Sequence, residues 1–462
     1  MSFLVAVAAL ALLMFVAYRG YSVILFAPVC ALLAVLVTDP AAVPAMFSGV
    51  FMEKMVGFVK LYFPVFLLGA IFGKVVELSG FSKAIVAAVI GVVGRQRAML
   101  SIVLVCAVLT YGGVSLFVVV FAVYPFAAEM FKASNIPKRL IPGTIALGAF
   151  TFTMDSLPGS PQIQNIIPTT FFKTTTWAAP WLGVVGSVFI LIAGLSYLEW
   201  RRRAAAASNE GYGEGHTNEP APVATEALPN ALIALLPLLV VGVANLLLVS
   251  AIPAFYGKTY EVQLAMAHPV VTQVTSLQAI WAVEGALLLG ILTVLAFAFR
   301  PVITKFAEGS KAAVSGALLA SLNTASEYGF GAVIAALPGF LVIQGALKAI
   351  PNPLVNEAIS VTTLAGITGS ASGGMSIALA AMADQFIAGA QAAGIPLEVL
   401  HRVASMASGG MDTLPHNGAV ITLLTVTGLT HKTSYKDIFA VTCIKTMAVF
   451  VVIAAYYLFG IV

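Results

Sequence analysis

The hydrophobic positions of this chain fall in long unbroken runs, not in the polar–apolar alternation of strands. Residues 3–18, 21–38 and 181–198 carry no charged side chain and approach the length at which a helix crosses the hydrocarbon core of a bilayer. A membrane β-barrel would show segments of alternating polarity instead. The runs predict an all-α polytopic membrane protein. Its first half carries spans at 3–18, 21–38, 61–79 and 180–199, and its second carries spans at 229–251, 280–299, 323–341 and 437–460. Segments 39–60 and 300–322 read as connectors. Residues 81–94, short and flanked by Lys83, Arg95 and Arg97, read as an interfacial helix.

Four apolar regions are interrupted. Residues 98–131 are too long for one untilted span and contain Thr110-Tyr111-Gly112-Gly113, with cations before and after them. A re-entrant helical hairpin with its tip at 110–115 accounts for both features, because irregular backbone at membrane depth needs protein or a water-filled cavity around it. A second hairpin is expected over 357–388, with its tip at Thr368-Gly369-Ser370-Ala371-Ser372-Gly373-Gly374. Two helices, 140–172 and 399–429, are expected to break. The first breaks at Met154-Asp155-Ser156-Leu157-Pro158-Gly159-Ser160-Pro161, and the second at Met411-Asp412-Thr413-Leu414-Pro415-His416-Asn417-Gly418.

These interruptions recur in order. Gly112-Gly113-Val114-Ser115 resembles Gly373-Gly374-Met375-Ser376, Ile136-Pro137 matches Ile395-Pro396, and the two breaks match each other. The chain therefore reads as two repeats, 1–199 with scaffold spans within 3–79, and 229–462 with scaffold spans within 229–341. They are joined by 200–228, whose Arg201-Arg202-Arg203 and small polar residues suggest a flexible cytoplasmic linker.

Composition agrees. Of 462 residues 60% are hydrophobic and 9% charged, with mean hydropathy +1.02. A soluble domain carries roughly a quarter charged residues. Cys30, Cys106 and Cys443 are scattered through apolar stretches and form neither a metal spacing nor a disulfide framework. The net charge of +4 does not point to nucleic acid. With the N-terminus outside and both hairpins re-entrant, most cations, among them Arg19, Lys74, Lys83, Arg201 and Arg300, face the cytoplasm. Lys54, Lys60, Lys173, Lys258 and Lys348 face outward. The first half then starts outside and the second inside, so the repeats are inverted and both termini are periplasmic. Met1-Ser2-Phe3-Leu4 lacks the basic region of a cleaved signal and reads as the start of the first span.

The chemistry lies at the interruptions. A broken helix offers free N–H groups to a carboxylate and free carbonyls to a cation. Ser160 is expected to cap the second half-helix, with Pro161 as its first residue. Candidate substrate-binding residues are Thr110, Gly112, Gly113 and Ser115 at one tip and Thr368, Ser370, Ser372, Gly373 and Gly374 at the other. From the breaks come Asp155, Ser156, Ser160, Gln162, Asn165, Thr413, His416 and Asn417. Intramembrane carboxylates are costly and mark function by default; Asp155, Asp412 and Glu327 are the candidates for cation coupling. Local hydrogen bonding or close packing would explain the same residues without transport. Arg402 and Lys445 are expected to snorkel. There is no Walker A loop, nucleophile–base pair or metal motif, so neither ATP-driven transport nor an enzyme is expected. Neither break contains Arg or Lys, which favours a substrate with one carboxylate.

On Met154–Pro161 with Gln162-Ile163-Gln164-Asn165, and on Gly409-Gly410-Met411-Asp412-Thr413-Leu414-Pro415-His416-Asn417-Gly418, the chain resembles the gluconate permease (GntP) family of the ion-transporter superfamily. It is closest in look to the D-β-hydroxybutyrate permease branch, and the resemblance spans essentially the whole chain. The first break departs from the Pro/Gly/His-rich pattern expected of gluconate permeases. The resemblance implies an elevator-type secondary transporter of the bacterial inner membrane, acting as a homodimer. It implies symport of a small hydroxy-monocarboxylate, best 3-hydroxybutyrate, with a proton or possibly sodium, and no cofactor. Gluconate:proton symport and sodium/proton antiport are the alternatives. The expected partners are the carboxylate and the lipid bilayer, without nucleic acid.

Overall fold

The structure is a computed structural model that describes residues 2–19, 21–220, 228–263, 269–340, 342, 345, 350–415 and 417–462. Helices α1 (Ser2–Tyr18) and α2 (Val23–Thr38) pack on each other. The expected connector at 39–60 is itself helical: tight turns from Pro40, including the single turn α3 (Val43–Ala45) and a π-helical stretch Met46–Phe51, run into α4 (Met52–Leu78). After α5 (Phe81–Val93) comes hairpin one, α6 (Ala98–Tyr111) and α7 (Leu116–Ala133). Then follow α8 (Ile141–Ala149), the short α9 (Phe152–Asp155), α10 (Ile163–Phe172) and α11 (Pro180–Ala207).

The second half opens with α12 (Ala231–Tyr256). An exposed antiparallel ribbon follows, β1 (Thr259–Val262) and β2 (Val270–Gln273), with Thr259 opposite Gln273. The apolar runs gave no sign of these strands. Next, the expected span, connector and span at 280–341 are one long helix, α13 (Val274–Ala336), kinked at Ala298 (φ −137°, ψ 37°) shortly before Pro301. Proline removes a backbone donor and clashes with the preceding turn, so the kink falls where it is expected. Hairpin two is α14 (Pro353–Thr368) and α15 (Ala371–Ala392), followed by α16 (Leu397–Ser408), α17 (Gly418–Thr427) and α18 (His431–Phe459).

Among the described residues five helical stretches are long and apolar enough to cross a membrane: Pro40–Leu78, Pro180–Ala207, Ala231–Tyr256, Val274–Ala336 and His431–Phe459. Leu232, Leu247 and Phe255 on α12, Leu292 on α13 and Phe459 on α18 stay exposed on the surface, where lipid is the fitting solvent.

The two halves pack reciprocally. Within each half the first hairpin arm lies on the first half-helix, α6 on α8 and α14 on α16. Across the halves the second arm of each hairpin lies on the second half-helix of the other, α7 on α17 and α15 on α10. Helix α4 packs along α13, and α11 along α18.

The linker is not a loose tether where it is described. Helix α11 runs to Ala207, and 208–220 form a strap. Lys138, buried, donates from Nζ to Thr217 O (2.8 Å) and pairs with Glu219 (2.7 Å). Tyr124 donates to Asn218 O (2.6 Å), and Arg139 pairs with Glu210 (2.6 Å). Asn218 Nδ2 and Thr217 Oγ1 donate to Thr425 O and Gly428 O, so the strap is fastened to the C-terminal end of α17. Burial raises the Glu219 carboxyl, but hydrogen bonds from Lys138 and Tyr212 outweigh it and hold the group below its usual range. Hydrogen bonding from Arg139 does the same for Glu210.

Candidate functional site

The first break occupies 156–162, between α9 and α10. Two prolines without N–H groups and Gly159, at φ +75° with the Trp177 ring where a Cβ would stand, keep this stretch out of the helix. Gln162, not Ser160, is the N-cap residue, and α10 begins at Ile163, two residues after Pro161. Ser160 Oγ instead donates to Thr153 O (2.9 Å). The expected cap fails because the Ser160 side chain is taken by the turn that precedes it.

Each hairpin tip is fastened to the break of its own half by an amide. Gln162 Nε2 donates to Thr110 O (2.8 Å), and Asn417 Nδ2 donates to Gly369 O (2.8 Å). Asn417 Oδ1 also caps α17, accepting from Val420 N (2.9 Å). Tyr111 adds a bond from its hydroxyl to Pro158 O (2.8 Å), and Gly113 lies against Pro161. Gly112 is wedged against Leu238 of α12, which leaves a ligand no room at that position. Ser115 starts α7 half-buried, without a capping bond.

Asp155 is buried. Its Oδ1 accepts from Ser156 Oγ (2.8 Å), while Oδ2 has no hydrogen-bond partner and lies against Gly409 at the end of α16. Asp412 is ion-paired with Lys445 of α18, whose Nζ also donates to Phe150 O (3.1 Å) at the end of α8, just before α9 and the first break. Asp155 is within electrostatic reach of both Lys445 and Asp412. The three side chains therefore join the two breaks into one charged cluster.

Lys445 and Arg402 do not snorkel: they are 2% and 0% exposed. Other helices surround them at mid-length, and buried acceptors take the place of water. Arg402 donates to Ala178 O (2.7 Å from Nη2), Asp155 O (3.3 Å) and Asn165 Oδ1 (3.1 Å). Asn165 in turn donates to Ser160 O and Thr176 O, and its Oδ1 lies 3.2 Å from His401 Nε2. His401 Nδ1 is 2.7 Å from Thr174 Oγ1. Asn165 is thus committed to holding the first break on α16. The sequence reading passed over His401; a His-Arg pair inside an apolar run was the available signal.

At tip two, Glu327 of α13 hydrogen-bonds Ser370, and its Oε2 lies against Gly373. Thr324 Oγ1 is 3.1 Å from Ser372 Oγ. Ser370 Oγ also accepts from Gly373 N (3.0 Å), Thr368 Oγ1 donates to Leu364 O (3.0 Å), and Gly374 packs on the backbone of Ala365. Glu327 therefore stands at the contact of α13 with the hairpin, not beside the aspartates. Thr413 Oγ1 is 2.6 Å from Thr442 Oγ1. His416 lies outside the described residues. Among the described residues, the buried atoms without partners include Thr110 Oγ1, Asp155 Oδ2, Gln164 Oε1 and Glu327 Oε2, which lie in or next to the tips and breaks. Buried polar atoms are seldom left bare, so these are the atoms open to a ligand.

No family model matches the chain. A Bacillus subtilis (strain 168) protein named uncharacterized transporter YxjC is 58% identical over 472 aligned positions, which cover the whole of both chains. The crystal structure of the YdaH transporter of Alcanivorax borkumensis has the same fold, with a TM-score of 0.55. The match covers 91% of this chain and 90% of that one at 16% identity.

Proposed function

The chain belongs to the transporter family that includes YxjC, and from that premise we propose that it is a secondary active transporter that takes up a small hydroxy-monocarboxylate, 3-hydroxybutyrate first, together with a proton. The observation that carries this is the cluster at the joined breaks. Asp155 Oδ2, at the end of α9, is unpartnered among the described residues and lies within electrostatic reach of the Lys445–Asp412 pair, and across the same break the N-cap side chain of α10 bonds elsewhere. A substrate hydroxyl can donate to Asp155 Oδ2, and its carboxylate can meet the helix N-terminus and Lys445. The breaks do have buried cations near them, contrary to their own sequences. Arg402, however, spends its donors on carbonyls and Asn165, and Lys445 is shared by Asp412 and Phe150 O. Neither of these two buried cations is left over for a second carboxylate. Asp155 and Asp412 are the coupling pair, and Glu327 senses where tip two sits on α13.

The reciprocal packing of the hairpins and half-helices supports two inverted repeats, 1–199 and 229–462. In this proposal hairpins and broken helices move as one body against a scaffold of the remaining spans. The protein sits in the inner membrane with both termini outside, as a homodimer. Counterflow in proteoliposomes tests the substrate class. Labelled 3-hydroxybutyrate is expected to exchange, with acetoacetate competing well and citrate poorly. Citrate binding more tightly than 3-hydroxybutyrate would refute the monocarboxylate site, and gluconate outcompeting both would move the assignment to sugar acids.

A further inference from the structure

We infer that Glu357, on the first arm of hairpin two, is a second proton-carrying site, separate from the Asp155–Lys445–Asp412 cluster. Resting on the symport proposal above, it would make hairpin two the route by which the coupling proton enters. Glu357 is 0% exposed, and neither Oε1 nor Oε2 has a hydrogen-bond partner among the described residues. Among the described residues it pairs with no charged side chain. Helix α14 packs against α1, α15, α16 and α18. On those elements Asp384, Glu398, His431, Lys432 and Lys436 are exposed, while His401, Arg402, Asp437 and Lys445 are bonded elsewhere.

A fixed negative charge in that setting is among the costliest arrangements a membrane protein can hold. As the neutral acid the side chain fits, so the position is built for a group that gains and loses a proton as the hairpin moves. Placement points the same way. Glu357 lies near the base of the hairpin, about one and a half turns from Asn352, which bonds Tyr457 of α18. Thr368 at the tip is eleven residues further on and returns to the same face about 16 Å away at 1.5 Å per residue. Buried Ser360 lies between them, and Glu327 stands at the tip. In the proposed topology the base of hairpin two faces outward. The step balances as a simple transfer: hydronium in the outside water gives its proton to the Glu357 carboxylate, leaving water and forming the carboxyl O–H, and that O–H later passes the proton to water on the inner side, which becomes hydronium as the carboxylate is restored.

Two arms test this on the full-length protein. In the first, purified wild type is treated with dicyclohexylcarbodiimide, which reacts with buried protonated carboxyls, and its peptides are mapped by mass. Labelling of Glu357 that fades as pH rises is expected; no label at any pH where the fold persists overturns the inference. In the second, E357Q is expected to keep counterflow while proton-driven accumulation falls about a hundredfold and loses its dependence on outside pH, with E357D restoring part of both. E357Q accumulating substrate like wild type overturns it. If wild type exchanges no hydroxy acid, the symport proposal fails, and the labelling arm still decides whether Glu357 takes up a proton. The same arm decides if E357Q does not fold.

Discussion

Asp155 and Asp412 occupy matching positions of the two breaks, yet their surroundings assign them different work. Asp412 compensates Lys445, so D412N strands a buried cation. Removing one partner of a buried pair costs about 3–5 kcal/mol, and the variant should melt far below wild type in detergent. Asp155 keeps only the Ser156 hydroxyl on one oxygen and nothing on the other, so D155N should melt near wild type. Equal losses in thermal unfolding would contradict this division. The carboxylates, the tip hydroxyls and the two amides were legible in the sequence, because a polar side chain in an apolar run is conspicuous. The fate of Arg402 and Lys445 was not. A cation in an apolar helix reaches for the interface or is buried according to which helices surround it, and that depends on residues as distant as Ala178 and Phe150.

At the scale of elements, the hairpins and breaks were legible because Gly, Pro and hydroxyl residues interrupt helix at positions where interruption is expensive. What sequence could not give was their docking. Asn417 caps α17 and fastens tip two at once, so N417A should cost about 1–2 kcal/mol through the cap and weaken substrate exchange by loosening the tip. Q162A lacks the capping part and should lose exchange with little change in melting. Exchange unchanged in both would refute the fastening. The strap at 208–220 was read as a flexible linker because Gly, Asn and Glu suit loops; its anchors, such as Thr425, lie 207 residues from Asn218. The Glu210 and Glu219 carboxyls are held below their usual range in the fold. Their stabilisation is therefore full above the unfolded value of about 4.3 and is lost as pH falls through the lower folded values. Hydrogen exchange of 208–220 should stay slow from neutrality down to that range and quicken below it. Quickening already near neutral pH would contradict the ion pairs.

Across the whole molecule, each half carries a helical hairpin followed by two shorter helices, and the second arm of each hairpin packs on a short helix of the other half. This cross-bracing gives the hairpins and broken helices the contacts of one body, while Thr324 and Glu327 of α13 meet it at tip two. If that body slides during transport, oxidising a T324C/S372C pair should stop uptake, and reduction should restore it; uptake unaffected by a formed crosslink would refute sliding at this contact. The central claim remains that a hydroxy-monocarboxylate and a proton move together through the cluster of Asp155, Lys445 and Asp412. It is tested most directly by accumulation of labelled 3-hydroxybutyrate in proteoliposomes, with proton and sodium gradients imposed separately on wild type and D155N. The account predicts accumulation in wild type under the proton gradient alone and none in D155N, which exchanges with weakened affinity because an amide oxygen replaces the carboxylate that takes the substrate hydroxyl; no accumulation in wild type under the proton gradient, or undiminished accumulation in D155N, would contradict it.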